Sequence, residues 1–232
     1  MITNDIHNVK KSNVIKRRGS MFNHIQNNDF ANIVMGRRSV RNYDENFKIS
    51  KEEISDMISE ASLAPSSANM QPWRVIVVDT PEGKEKLRPL VRFNTLQNDT
   101  SSAMLLIFGD TQSYLYAEEI YNTAVEQGKM PAEVRDRQLE TILSMFPTLS
   151  KEMKVEIAKV DSSLFAMQFM LVARAHGYDT NPMAGFEVDQ LAKAFDLDEE
   201  RYAPVMIISL GKAKENGHES VRLSSDKITF WR

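Results

Sequence analysis

Residues 64–78 read APSSANMQPWRVIVV, a polar turn between two prolines that leads directly into an apolar run. The final RVIVV is rich in β-branched residues, which is typical of a central strand. Residues 103–108 and 204–210 are apolar in the same way, and residues 227–231 alternate as a short edge strand would. The chain therefore predicts a few well-separated strands, with long segments left for helices.

Capping chemistry predicts where two of those helices begin. Ser50 and Glu53 have the spacing of a capping box before an amphipathic stretch. Thr80 before Pro81 places a capping residue ahead of a proline in the first helical turn. Residues 30–35 also have helical character, so residues 30–87 are expected to contain three helices.

The second half of the chain predicts longer helices. Residues 114–127 and 132–145 are expected to form two exposed helices in an excursion that spans about residues 111–150. Residues 162–176 are apolar almost all round, so this helix is expected to lie buried between layers or between subunits. Strands interleaved with helices predict one domain of α+β or α/β class over residues 21–232.

Composition excludes several kinds of chemistry. The 232 residues contain no cysteine, which removes disulfides, thiolate nucleophiles and cysteine–zinc sites. The four histidines form no HExxH motif, so no metal site is predicted. The nine glycines form neither of the common glycine-rich phosphate loops.

Charge is distributed unevenly along the chain. Residues 1–20 carry five basic residues and one acidic residue, whereas the rest of the chain is acidic. This basic segment is expected to be a peripheral extension; a nucleic-acid arm, a targeting segment and translation from Met21 are the alternatives. We expect no nucleic-acid partner for the acidic body, and the absence of a long apolar run predicts a soluble, cytoplasmic protein without a membrane partner.

Three polar clusters could carry chemistry. The sequence RRSVR at residues 37–41 places cations beside a hydroxyl, which suits an oxyanion, although a solvated charged corner would look the same. Residues 64–73 offer many hydrogen-bonding groups in a rigid turn, and residues 177–186 include glycines that permit close approach to a flat ligand. For both of these segments a simple connecting loop is the alternative.

The order of these motifs is more specific than any one of them. RRSVR, APSSANMQPW, GYDTNPMAGF and the strand end at Leu210-Gly211 follow one another in a series that resembles the FMN-dependent nitroreductase family. The resemblance runs from about Asn32 to the C-terminus. It implies an α+β fold, a mixed sheet flanked by helices, in an intertwined homodimer that binds two FMN molecules at its interface.

The resemblance also implies which residues bind the FMN phosphate. Arg37, Arg38 and Ser39 match positions near the phosphate and ribityl chain, and Arg222 matches a position that holds the phosphate. Many family members have a second basic residue beside Arg222, and Lys212 is a candidate to replace it.

A second group matches positions at the flavin ring. Arg41, Asn94 and Gln97 match contacts to the pyrimidine edge, although many members have lysine where Gln97 stands. The positions matched in the partner subunit are Pro65, Ser66, Ser67 and Asn69. The loop matched along the isoalloxazine is Pro182, Met183, Ala184 and Gly185. The family directs backbone N–H groups of this loop at flavin N5 and O4, so no catalytic side chain is predicted.

The implied function is an NAD(P)H-dependent oxidoreductase. Hydride would pass from NADH or NADPH through flavin N5 to a nitroaromatic, quinone or similar small acceptor in a ping-pong mechanism. The alternatives are other flavin chemistry on the same fold, such as dehalogenation or flavin breakdown, and a flavin-binding protein without turnover.

Overall fold

Helices and strands alternate along residues 24–232, the part of the chain that the computed structural model describes. The helices are α1 (Phe30–Gly36), α2 (Lys51–Ala61), α3 (Pro81–Leu87), α4 (Thr95–Thr100), α5 (Ala117–Glu126), α6 (Ala132–Met145), α7 (Lys151–Ala175), α8 (Val188–Ala194) and α9 (Ser225–Ile228). The strands are β1 (Trp73–Val78), β2 (Ala103–Asp110), β3 (Asp179–Met183) and β4 (Tyr202–Gly211). The prediction for residues 1–20 lies outside the described residues.

The four strands form one sheet in the order β1-β2-β4-β3. Each neighbouring pair is antiparallel, and the register shifts once, between Ile107 and Phe108 of β2. An isolated bridge between Ser39 and Thr180 adds a parallel pairing beside β3. The predicted α+β class, with a sheet flanked by helices, is therefore confirmed.

Both faces of the sheet are covered, which explains why β2 is apolar throughout rather than alternating. Leu105 and Ile107 point into a core built with α2 and α7, whereas Leu106 and Phe108 point into a second core built with α3 and α8. Every residue of β2 is buried. A Cβ added to Gly109 would lie 2.9 Å from Ala158, so this glycine permits α7 to cross the sheet closely.

Capping residues act as the sequence predicts. The Ser50 side chain accepts a hydrogen bond from the Glu53 amide at the start of α2, and Thr80 caps α3 in the same way. Helix α7 begins at Lys151, eleven residues before the predicted start, and its first turn is capped by Ser150. Its first three turns carry charged residues on the exposed side. The apolar pattern therefore predicted only the later part of the helix.

Two strand predictions were wrong. Residues 227–231 form no strand, because Ile228 lies in the short helix α9 and Phe230 and Trp231 are exposed. Conversely, part of the segment 177–186 that was expected to be a loop forms strand β3. This strand lies at the edge of the sheet, where Pro182 can be accommodated although it has no backbone N–H to donate.

No helix within residues 24–232 is long and apolar enough to cross a membrane.

Candidate functional site

A cluster of three arginines forms one end of the candidate site. Arg37 follows α1 as its C-terminal cap, and Arg38 is next in the chain. Burial lowers the pKa of the half-buried Arg37 guanidinium, and the positive charges of Arg222 and Arg38 lower this pKa further. No carboxylate forms an ion pair with these three side chains within the described part of the chain. Uncompensated guanidinium groups of this kind suit a phosphate.

The C-terminal tail reaches this cluster through a glycine. A Cβ added to Gly217 would overlap the Cβ of Arg38 and would lie 3.2 Å from the Ser39 carbonyl oxygen. Only a residue without a side chain lets the tail pass so closely over the RRSVR motif. Five residues later Arg222 donates to Ser220 Oγ at 2.7 Å and remains exposed. Arg222, which the resemblance assigns to the phosphate together with Arg37, therefore lies close enough for its charge to act on Arg37.

The rest of the RRSVR motif runs beside the edge strand. Ser39 pairs with Thr180, and the Val40 amide donates to the Thr180 carbonyl at 3.1 Å. The buried Tyr43 hydroxyl donates a hydrogen bond to the Val40 carbonyl at 2.8 Å and so holds this segment against the core. Arg41 is exposed, and its guanidinium has no hydrogen-bond or ion-pair partner among residues 24–232.

A hydrogen-bonded trio forms a second group of candidate site residues. Asn94 Nδ2 donates to the Gly185 carbonyl at 3.0 Å, and Asn94 Oδ1 accepts from Gln97 Nε2 at 3.1 Å. A Cβ added to Gly185 would lie 3.3 Å from Asn94 Nδ2, so the two segments pack tightly. The structure therefore brings together the predicted pair on α4 and the predicted segment after β3.

The four residues from Pro182 to Gly185 divide between strand and loop. Pro182 and Met183 belong to β3, and the Met183 side chain is buried in the core beside α8. Ala184 is exposed after the strand ends. Because the Met183 side chain points into the core, Met183 can offer a ligand only its backbone.

The structure shows an ion pair beside this trio that the sequence did not predict. Arg92 Nε lies 2.8 Å from Glu187 Oε1, and the contact raises the pKa of Arg92 and lowers that of Glu187. Arg92 has a φ of 50°, in the left-handed region. The two residues are 95 positions apart, so no local signal predicts the pair. It ties the turn before Asn94 to the segment after Gly185.

The loop after α2 is strained. Ala68, Asn69 and Gln71 have φ values of 49°, 56° and 47°, a conformation that costs residues with a side chain of the order of 1 kcal/mol each. Such strain persists only where the surroundings fix the backbone, and it is concentrated at functional sites.

Two residues outside the motif hold this loop. Buried Asp161 of α7 accepts hydrogen bonds from the Ser67 amide at 2.9 Å and from Ser67 Oγ at 3.2 Å. The Tyr121 hydroxyl of α5 donates to the Ala68 carbonyl at 2.9 Å. Ser66 closes the loop by accepting from the Gln71 amide at 3.0 Å. Asp161 ends the charged stretch that precedes the apolar run 162–176, so the sequence carries no signal for its contact with Ser67.

Within residues 24–232 no hydrogen bond joins this loop to the arginine cluster or to the Asn94 trio. The hydrogen bonds of its described residues lead to α5 and α7, while Pro65 and Asn69 are exposed. Beside it on α7, Val160, Leu164 and Met167 form an exposed apolar stripe, which a water-facing helix would not be expected to carry.

Lys212, His176 and Tyr114 each contact another residue of the described chain. Lys212 Nζ donates to the Gly177 carbonyl at 3.0 Å. His176 ends α7 as expected, but its ring is buried, with Nε2 2.9 Å from Glu60 Oε2. Tyr114 packs against Phe146 with ring centroids 6.4 Å apart. No group of His, Asp or Glu side chains that could hold a metal occurs within residues 24–232.

The sequence matches known proteins over most of its length. The model of the nitroreductase family matches residues 34–212. YdgI of Bacillus subtilis, named as an NAD(P)H nitroreductase, is 51% identical over 208 residues, which cover 90% of this chain and all of that protein. An enone reductase of CLA biosynthesis from Lactiplantibacillus plantarum is 40% identical over 204 residues, which cover 88% of this chain and 94% of that protein.

A solved structure is similar in both fold and sequence. A nitroreductase-type protein from Exiguobacterium sibiricum, crystallised in complex with FMN, superposes with a TM-score of 0.86 and 53% identity. The match covers 89% of this chain and 98% of that one.

Proposed function

Because the chain belongs to the nitroreductase family, we propose that it is an FMN-dependent oxidoreductase that uses NADH or NADPH to reduce small organic acceptors. The observation that carries the proposal is the cluster of Arg37, Arg38 and Arg222, which lacks any carboxylate partner within the described residues. The FMN-binding domain spans residues 21–232.

The arginine cluster would hold the FMN phosphate. A phosphate monoester carries a charge of about −1.5 to −2 at neutral pH, and it would relieve the mutual repulsion of the three guanidinium groups. Ser39 follows Arg38 directly and adds a hydroxyl donor. The donors and charges present therefore fit the cofactor's anionic end.

The Asn94 trio would bind the ring system. The side chains of Asn94 and Gln97 form a bonded pair beside the Gly185 backbone, and they supply the amide groups that a flavin pyrimidine requires. Ala184 and Gly185 would offer backbone N–H groups toward N5 and O4. Arg41, whose guanidinium is free of internal partners in the described chain, would place a positive charge at the pyrimidine edge.

Completion of the site would require a second copy of the chain. Pro65, Ser66, Ser67 and Asn69 belong to the strained loop, whose hydrogen bonds lead to α5 and α7 rather than to the other site residues. The stripe on α7 and the exposed apolar residues of the tail, including Phe230 at 78% and Trp231 at 89% exposure, offer the surface for an intertwined homodimer. The partner's loop would then face the arginines and the Asn94 trio.

The bound FMN would supply the redox chemistry, which is hydride acceptance from NADH or NADPH and reduction of the acceptor in two half-reactions. The protein would position the ring, neutralise its charge and leave one face open to both substrates in turn. We propose nitroaromatic compounds and quinones as acceptors. The similarity to the Lactiplantibacillus plantarum enone reductase favours α,β-unsaturated ketones as a second class.

Absorption spectroscopy of the purified protein tests the proposal. We expect flavin bands that bleach on anaerobic addition of NADH or NADPH and return on addition of menadione, a nitrofuran or an enone. Steady-state oxidation with each acceptor then ranks the three classes. Protein that binds no flavin after incubation with FMN contradicts the cofactor assignment, and flavin that NAD(P)H does not bleach favours a binding protein without turnover.

A further inference from the structure

A cavity lined mainly by polar residues lies beside α3 and α4. It has a volume of about 370 Å³, within the range of small-molecule sites. Its lining residues are Lys48, Asp79, Pro81, Lys84, Glu85, Arg88, Asn98 and Asp99. None of these residues belongs to the proposed FMN site.

Two lysines of this cavity lack an acidic hydrogen-bond partner. Asp79 is in an ion pair with Lys51 at 3.7 Å, and Asp99 is in an ion pair with Arg88 at 3.2 Å. Those contacts occupy two of the three carboxylates, and the third, Glu85, is exposed. Lys48 and Lys84 remain as cations without a carboxylate at ion-pair distance in the described chain.

The environment of Lys84 is unfavourable for its charge. Its ammonium group donates to the Ser101 carbonyl, but burial and the positive charge of Lys48 outweigh the opposing charges of Asp99 and Asp79. These effects lower the pKa of Lys84 to about 8. An anion placed between Lys48 and Lys84 would stabilise both ammonium groups.

A buried acceptor in the same cavity also lacks a partner. Asn98 Nδ2 donates to the Lys84 carbonyl and to Asp99 Oδ1, both at 3.1 Å. Its Oδ1 is buried and accepts no hydrogen bond in the described structure. Flipping the amide would set Oδ1 against two other oxygens, so the orientation is fixed. Burying an acceptor without a partner costs free energy, and a donor supplied by a ligand in the cavity would remove that cost.

We propose that this cavity binds a small phosphate monoester that carries a free hydroxyl group. Two ammonium groups match a dianion better than a monoanion, and a ligand hydroxyl can donate to Asn98 Oδ1. The volume exceeds what a bare phosphate needs and leaves room for a short polyol. The cavity shares no residue with the arginine cluster, and its test draws on the proposed function only in using FMN to block that cluster.

Titration calorimetry of the FMN-loaded protein with glycerol 3-phosphate tests the proposal, because loaded FMN occupies the arginine cluster. We expect saturable binding at one site per chain. Lys48→Gln, Lys84→Gln and Asn98→Ala should each weaken it by about tenfold. Lys86→Gln is the matched control, since Lys86 lies on the same helix as Lys84 but does not line the cavity. Its affinity should stay within twofold of wild type.

Lactate provides a second arm, because it has a hydroxyl but only one negative charge. We expect it to bind at least tenfold more weakly than glycerol 3-phosphate. Equal binding of the two compounds, no saturable binding, or equal affinity in the Lys48 variant and the control overturns the proposal. Lys48 is exposed, so its replacement leaves the fold intact and keeps the test valid if the Lys84 variant is unstable.

Discussion

Replacing Arg222 with glutamate reverses one of the three charges at the proposed phosphate site without touching the core. Arg222 is exposed on the tail and acts on Arg37 through its charge. A hydrogen bond to a charged group contributes about 1.5–3 kcal/mol, which corresponds to about a 10- to 150-fold change in affinity. The introduced carboxylate would also repel the phosphate, so the loss of FMN affinity should reach at least the upper part of that range.

Quenching of flavin fluorescence during titration of the apoprotein measures the effect. Lys227→Glu is the control, because it makes the same charge change on an exposed residue of the tail that carries no ion pair with another described residue. We expect it to bind FMN as the wild type does. A dissociation constant for Arg222→Glu within threefold of the control would refute the assignment of the arginine cluster to the phosphate.

Four further outcomes follow from the geometry. Gly217→Ala should displace the tail from Arg38 and weaken FMN binding about tenfold by fluorescence titration, because the added Cβ overlaps that residue. Asp161→Ala should lower the free energy of unfolding in urea by about 2 kcal/mol or more, since two hydrogen bonds to Ser67 are lost. Leu164→Glu should shift the protein toward monomer in sedimentation experiments. As pH rises from 8 to 10, wild type should gain of the order of 1 kcal/mol of stability relative to Lys84→Met, because the depressed pKa makes the folded state lose its proton first.

Control variants distinguish these specific effects from a general loss of folding. Asp161→Asn keeps one acceptor for Ser67 and should lose less stability than the alanine variant. Thr141→Glu on the exposed face of α6 should leave the sedimentation behaviour unchanged. Unaltered FMN affinity in Gly217→Ala, a dimeric Leu164→Glu protein, or a flat pH difference for Lys84 contradicts the corresponding argument.

Local chemistry made the start of the fold predictable. The caps at Ser50 and Thr80 and the apolar runs of β1, β2 and β4 are properties of neighbouring residues, and each element is found where the pattern placed it. Strand β3 was missed because its five residues, DTNPM, have little strand propensity. Its pairing with β4 and the bridge from Ser39 determine its conformation instead.

The candidate site was likewise predictable only in part. The motif residues were visible in the sequence, but the residues that hold them were not. Asp161 is 94 positions from Ser67, and Glu187 is 95 positions from Arg92. The tail residue Arg222 reaches Arg37 only because Gly217 lets the chain pass over Arg38. Such contacts depend on tertiary packing, which no local pattern encodes.

The position of Asp161 has a thermodynamic consequence. It lies next to Val160 on α7, so the helix that orients the strained loop also carries the apolar stripe offered for subunit contact. If the loop of one subunit contributes to the site of the other, dimer formation and cofactor affinity are linked, and each must strengthen the other by the same factor. The apparent FMN dissociation constant should then fall as protein concentration rises through the range in which dimers form.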